Sequence, residues 1–117
     1  MKKKPEIFIT HIADCVNVIE QKTKGKTWTD FLNDSDLQDI VIRRLQIIGE
    51  AGQNLEKHFK EKYPKIPWRR MWALRNILIH EYFGIDIKLV WQVVKKDIPK
   101  LKKEILKIST ASKKLKA

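Results

Sequence analysis

Pro67-Trp68-Arg69-Arg70-Met71-Trp72-Ala73-Leu74-Arg75-Asn76-Ile77-Leu78-Ile79-His80-Glu81-Tyr82-Phe83-Gly84 is the stretch from which the fold is read. Proline stands where a helix tolerates it best, at the first position, and glycine where helices commonly stop. A helix opening at Pro67 and terminated by Gly84 is therefore predicted. Its second half, Arg75 to Tyr82, sets a permanent cation, an imidazole and a phenol into the most hydrophobic part of the chain. Such groups are expensive to bury without partners. They are also the groups that hold a phosphodiester, move a proton and orient the reacting atoms. A local choice that conflicts with packing in this way marks a candidate functional site.

Outward from this segment the periodicity is helical throughout. Pro5 to Thr23 predicts a first helix, stopped at Gly25, with Ile9, Ile12, Ala13, Val16 and Ile19 on one buried face. Thr27 to Leu32 predicts a short helical turn or loop whose aromatics cover the end of a bundle. Ser35 is a suitable N-cap for a long second helix ending before Pro64. Its stripe is Leu37, Ile40, Val41, Leu45, Ile48, Ala51, Leu55 and Phe59. Asp86 caps a fourth helix in which Leu89, Val90, Val93 and Val94 lead into Ile98, Leu101, Ile105 and Ile108. Pro99 should kink or restart it. No segment shows sustained two-residue alternation, so the fold class is all-α, an up-and-down bundle of four main helices. The basic tail from about 109 to 117 is expected to fray.

The 117 residues fit one domain spanning the whole chain. No apolar run approaches the roughly 20 residues of a membrane span. The basic start is not followed by an apolar core or cleavage site, so it does not read as a secretory signal. Cys15 is the only cysteine, which favours a reducing, cytoplasmic setting. The 25 Lys+Arg against 14 Asp+Glu give a net charge of +11. That excess attracts polyanions. It is thickest from Lys95 onward, and Lys95, Lys96 and Lys100 are candidate contacts for RNA phosphates or for an acidic partner. No cofactor is expected, and no His/Cys/Asp/Glu cluster has metal-site spacing. Trp68, Trp72 and Trp91 could stack bases, but their helical spacing beside Met71, Leu74 and Val94 reads first as packing.

On an ideal helix Arg75 and Tyr82 lie within about 20° of one face, whereas Arg75 and His80 diverge by about 140°. Asn76 and His80 are an i, i+4 pair on a neighbouring face. Either the helix loosens before Gly84 or a second copy of the chain completes the site. The surrounding apolar surface favours the second copy. An ordinary structural reading competes: Arg75 bridging an acid, His80 satisfied in the core, Tyr82 packing.

The pattern Arg75-x4-His80-x-Tyr82, with Asn76 after the arginine, resembles the motif of HEPN-domain proteins, and specifically of the HepT-type toxin family. The likeness extends to Ile42–Ala51, Ile66–Arg69, His80–Asp86, Val90-Trp91 and Asp97–Leu101, covering roughly Ile9 to Leu106. What it implies is a four- to five-helix HEPN bundle that dimerises around the motif helix. It further implies a metal-independent endoribonuclease in which the ribose 2′-hydroxyl attacks the adjacent phosphorus. The ends produced are a 2′,3′-cyclic phosphate and a 5′-hydroxyl. In that scheme His80 is the general base or acid, Arg75 clamps phosphate, and Asn76 orients His80 or donates to a phosphate oxygen. The resemblance also implies a toxin–antitoxin pair, with a small nucleotidyltransferase antitoxin adenylylating Tyr82. The competing implication is a non-catalytic HEPN subunit that helps a nucleotidyltransferase bind its nucleotide or substrate. A basic helical nucleic-acid-binding protein without chemistry is a third reading.

Overall fold

The structure is a computed structural model that describes residues 4–108 and Ala111. Apart from Ala111, the tail expected to fray lies outside the described residues, as does the side chain of Tyr82. Within them the fold is an all-helical bundle: α1 (Pro5–Thr23), α2 (Trp28–Leu32), α3 (Ser35–Gln53), α4 (Lys57–Glu61), α5 (Trp68–His80), α6 (Ile87–Gln92) and α7 (Ile98–Ile105). A 3-10 turn at Tyr82–Gly84 follows α5, and a π-helical turn at Val93–Asp97 joins α6 to α7. The central helix is α3, packed on α1 along one side and α5 along the other. No helix among the described residues is long and apolar enough to cross a membrane.

Local chemistry accounts for most boundaries. Pro5 stands in the first turn of α1, and Gly25, at φ +73°, takes the left-handed conformation that ends it. Thr27 and Asp30 form a reciprocal capping box on α2. The Asp86 carboxylate caps α6 by accepting from the N–H groups of Lys88 at 3.0 Å and Leu89 at 3.3 Å. Pro99 has no N–H for the i−4 carbonyl, and the chain absorbs this in the widened π turn immediately before it. There the Ile98 N–H reaches back five residues to the Val93 carbonyl.

Four expectations need correction. Asp34, not Ser35, is the N-cap of α3, its side chain accepting from the Leu37 N–H at 3.0 Å. The long second helix stops at Gln53: the Asn54 side chain donates to the Glu50 carbonyl at 2.8 Å, Leu55 turns into the core, and Phe59 sits in the separate α4. Ile40 is 36% exposed and lies outside the buried stripe, which runs through Leu37, Val41, Leu45, Ile48 and Ala51. Finally, α5 ends at His80, before Gly84, because Glu81 leaves helical geometry (φ −111°, ψ 46°). Gly84 closes the 3-10 turn with no positive φ, and the shared helical face expected of Arg75 and Tyr82 does not form.

The core is continuous. Ile9, Ile12, Val16 and Ile19 of α1, Val41 and Ile48 of α3, and Ile98, Leu101 and Ile105 of the last helix are almost fully buried. Each such side chain contributes about 1.5–3 kcal/mol through burial. Phe31 of α2 is buried as well and packs its ring against Trp91 at 5.0 Å, so α2 does cover the bundle end.

Candidate active site

The site begins at the seam between α3 and α5. A Cβ added at Gly49 would stand 2.5 Å from the Cβ of Arg75 and 2.7 Å from the Met71 carbonyl oxygen. The backbones therefore approach too closely for any other residue, and Arg75 is laid along the seam. One residue on, Glu50 accepts from Arg75 through one oxygen, at 3.3 Å from Nε and 3.2 Å from Nη2. Nη1 donates to the Asn76 Oδ1 at 3.0 Å, and the guanidinium carbon lies 4.8 Å from the centre of the Trp72 ring. Three partners on three sides thus fix the plane of the fork.

Arg75 keeps 23% of its side-chain exposure and Glu50 40%. Solvent at that level limits such a pair to about 1 kcal/mol or less. Its consequence is positional more than energetic. A guanidinium has five N–H donors, and the three hydrogen bonds to Glu50 and Asn76 leave two uncommitted. A planar cation held in place with two free donors is suited to a phosphate.

His80 is placed differently. It is the last residue of α5, exposed, and its imidazole makes no hydrogen bond or ion pair among the described residues. Because α5 stays helical from Trp68 to His80, the angle of about 140° between Arg75 and His80 holds. One chain does not bring the two together. Asn76 serves Arg75 through its oxygen and makes no described bond to His80; its amide N–H donors remain for other partners. Tyr82 follows in the 3-10 turn. Around His80 the surface is apolar: Ile77 is 39% exposed, Ile79 36% and Phe83 100%. Beside it runs a groove of about 500 Å³ between α3 and the turn, lined in part by Ile42, Gln46, Leu78 and Phe83.

The basic candidates lie on other elements. Lys95 and Lys96 are on the π turn and Lys100 on α7, all exposed, with the Lys95 ammonium 4.7 Å from the centre of the Trp91 ring. Asp97, on the same π turn, takes Arg70 of α5 in a two-point contact, 2.9 Å at each nitrogen. That bond raises the Arg70 pKa further and ties the start of α5 to the last helices. Cys15 is buried in α1, and burial pushes its thiol pKa up, against a smaller opposing effect of Arg44. Sequence reading did not identify Glu50 as the partner of Arg75, and it gave Trp72 as packing first and base stacking second, without its contact to Arg75. An acid on α3 can be assigned to Arg75 only once the two helices are seen to pack.

The all-helical bundle is the architecture expected of the HEPN class, and the family comparison agrees with it. The chain belongs to the family described as ribonuclease HepT-like, whose model matches residues 12–108. It is 55% identical over 108 residues to a Methanocaldococcus jannaschii protein named "Gamma-glutamylcyclotransferase and putative RNase". That match covers 92% of this chain and 49% of the relative, so the chain spans about half of that protein's length. Over 108 residues it is also 44% identical to a Thermococcus cleftensis protein named "Probable ribonuclease HepT", covering 92% of this chain and 98% of the relative. A second M. jannaschii protein, named "Putative RNase MJ1380", is 44% identical over 104 residues, 89% of this chain and 95% of its own length. No solved structure matches the chain.

Proposed function

We propose that this chain is a metal-independent RNA endonuclease that works as a two-fold homodimer. The observation that carries the reading is the Arg75 fork, fixed by Glu50, Asn76 and Trp72 with two N–H donors left over, on the same helix as an unrestrained His80. A two-fold pairing through the apolar surface around Ile77, Ile79 and Phe83 would bring Arg75 of one copy toward His80 of the other. That pairing resolves the divergence within one helix. In the reaction His80 takes the proton of the ribose 2′-hydroxyl. The 2′-oxygen bonds to phosphorus, and the bond to the 5′-oxygen breaks. The leaving oxygen takes a proton, supplied by His80 of the other copy. Arg75 stabilises the charge that builds on the phosphoryl oxygens. The products are a 2′,3′-cyclic phosphate and a 5′-hydroxyl.

The same reading makes the chain the toxin of a toxin–antitoxin pair acting in the cytoplasm. A nucleotidyltransferase antitoxin would adenylylate Tyr82, adding a phosphate and a nucleoside next to His80 and opposing the entry of RNA phosphate. Lys95, Lys96 and Lys100 serve either the RNA or that partner. The divergence of Arg75 and His80 within one chain, with Arg75 already paired to Glu50, would also suit a binding subunit without chemistry.

Cleavage of total RNA in EDTA by wild type and His80→Ala, with product ends mapped and Tyr82 shown by mass to be unmodified, separates the two. Cyclic phosphate ends from wild type and at least a hundredfold slower cutting by the folded variant support the nuclease. No cutting by unmodified wild type would leave the binding subunit as the better account.

A further inference from the structure

The start of α5 lines a second groove, of about 570 Å³, on the side of Trp72 away from His80 along the helix. Its walls include Gln53, Lys60, Trp68, Arg69, Arg70 and Trp72, and no acidic residue lines it. The two indoles are half-buried. Trp68 is anchored, its ring against Gly52 and its Nε1 donating to the Tyr63 carbonyl at 3.2 Å. Trp72 belongs to both sites, since it lines this groove and lies against the Arg75 guanidinium. Arg70 is neutralised by Asp97. The side chains of Lys60 and Arg69 carry no hydrogen bond or ion pair among the described residues, so their charges are available to a ligand.

We infer that this groove holds the nucleotides of a single-stranded RNA next to the phosphate at Arg75, with bases against Trp68 and Trp72 and backbone phosphates on Lys60 and Arg69. The inference rests on the nuclease reading for its direction of travel, from the groove across Trp72 to Arg75. Three features select RNA over an acidic protein. Flat aromatic faces take any base. The volume falls in the range of about 300–1,000 Å³ typical of small-ligand sites. The axial rise of a helix, about 1.5 Å per residue, sets Trp72 about 4.5 Å and Trp68 about 10 Å before Arg75, so bases on the two rings lie in line with the scissile phosphate. The site reads backbone and stacking, and so carries little sequence preference.

The test is a fluorescence titration of the full chain with an oligouridylate methylated at every 2′-oxygen, which cannot be cut, at several salt concentrations. Binding should quench tryptophan emission, and Trp72→Phe, which keeps a ring beside Arg75, should remove much of the quench. The double variant Lys60→Ala/Arg69→Ala should bind about tenfold more weakly. Its dependence of log affinity on log salt should flatten by about 0.7 per lost phosphate contact. Its cleavage of a dinucleotide, which spans only the phosphate at Arg75 and the two nucleosides beside it, should fall less than its cleavage of a longer strand. Wild-type affinity and slope in the double variant overturn the inference. So does wild-type RNA binding combined with lost binding of polyglutamate, which would make the groove a protein dock. Groove-dependent binding without any cutting of unmodified RNA would sink the nuclease reading and leave the groove standing.

Discussion

The middle and the C-terminal end of α5 are built on opposite principles. Its middle lies in a seam so tight that only glycine fits at position 49, and there the Arg75 side chain is gripped by a carboxylate, an amide and an indole. Its C-terminal end opens into a 3-10 turn, where His80, Ile79 and Phe83 face outward. A group that must stabilise developing charge gains from being fixed beforehand, because no reorganisation is then needed during reaction. A group that must meet its counterpart across a second chain gains from exposure. The difference teaches that one helix carries a half-site fixed within the chain and a half-site left open, which the proposed homodimer would complete.

The largest effect on the rigid half should come from Gly49→Ala. The added methyl meets the Met71 carbonyl and the Cβ of Arg75, neither of which is the far end of a flexible side chain. Overpacking of this kind costs about 1–3 kcal/mol, partly offset by the better helix propensity of alanine. We expect a net loss of about 1 kcal/mol in urea denaturation, with Arg75 displaced and cleavage reduced as well. A variant as stable as wild type would mean that the seam can open, and the contrast between the two regions would weaken.

Much of this bundle was legible in the chain. The limits of α1, the Asp86 cap and the disturbance before Pro99 follow from local chemistry: proline lacks a donor, glycine accepts positive φ, and aspartate caps. The family was legible too, since the motif and its flanking segments carry the likeness that the match over residues 12–108 bears out. The end of α3 was not, because Leu55 and Phe59 continue the apolar period past it. At its end the Asn54 side chain and backbone N–H both bond the Glu50 carbonyl, a local arrangement that the apolar period does not reveal. The partner of Arg75 was also out of reach. Arg75 and Glu50 lie 25 residues apart, and their meeting depends on how closely α3 and α5 pack. A shared face for Arg75 and Tyr82 assumed a helix continuing to Gly84, and no residue between them signals the break at Glu81.

Glu50→Gln probes the grip itself. The amide is nearly isosteric and can still accept one hydrogen bond, but the charge that holds the fork is gone. As Glu50 is 40% exposed, stability should change by less than about 1 kcal/mol. Cleavage should lose about tenfold in kcat with little change in KM, because a misaligned Arg75 is felt mainly in the transition state. Glu50 is then a positioning residue. A fall in KM with kcat unchanged would instead show that Glu50 only competes with RNA phosphate for Arg75.

The smallest effect is expected at the open end, from Gly84→Ala. Nothing lies within 4 Å of the Cβ it would gain, and its backbone has no positive φ. Alanine can adopt that conformation without strain while restricting the unfolded chain, which stabilises by about 0.4–1 kcal/mol. Thermal denaturation should therefore show a slightly higher Tm, the opposite sign from Gly49→Ala. A lower Tm would mean that Gly84 takes up a left-handed conformation in solution and ends the motif helix itself. His80 and Tyr82 would then share a longer helix with Arg75, and the open end would be less open than it stands here.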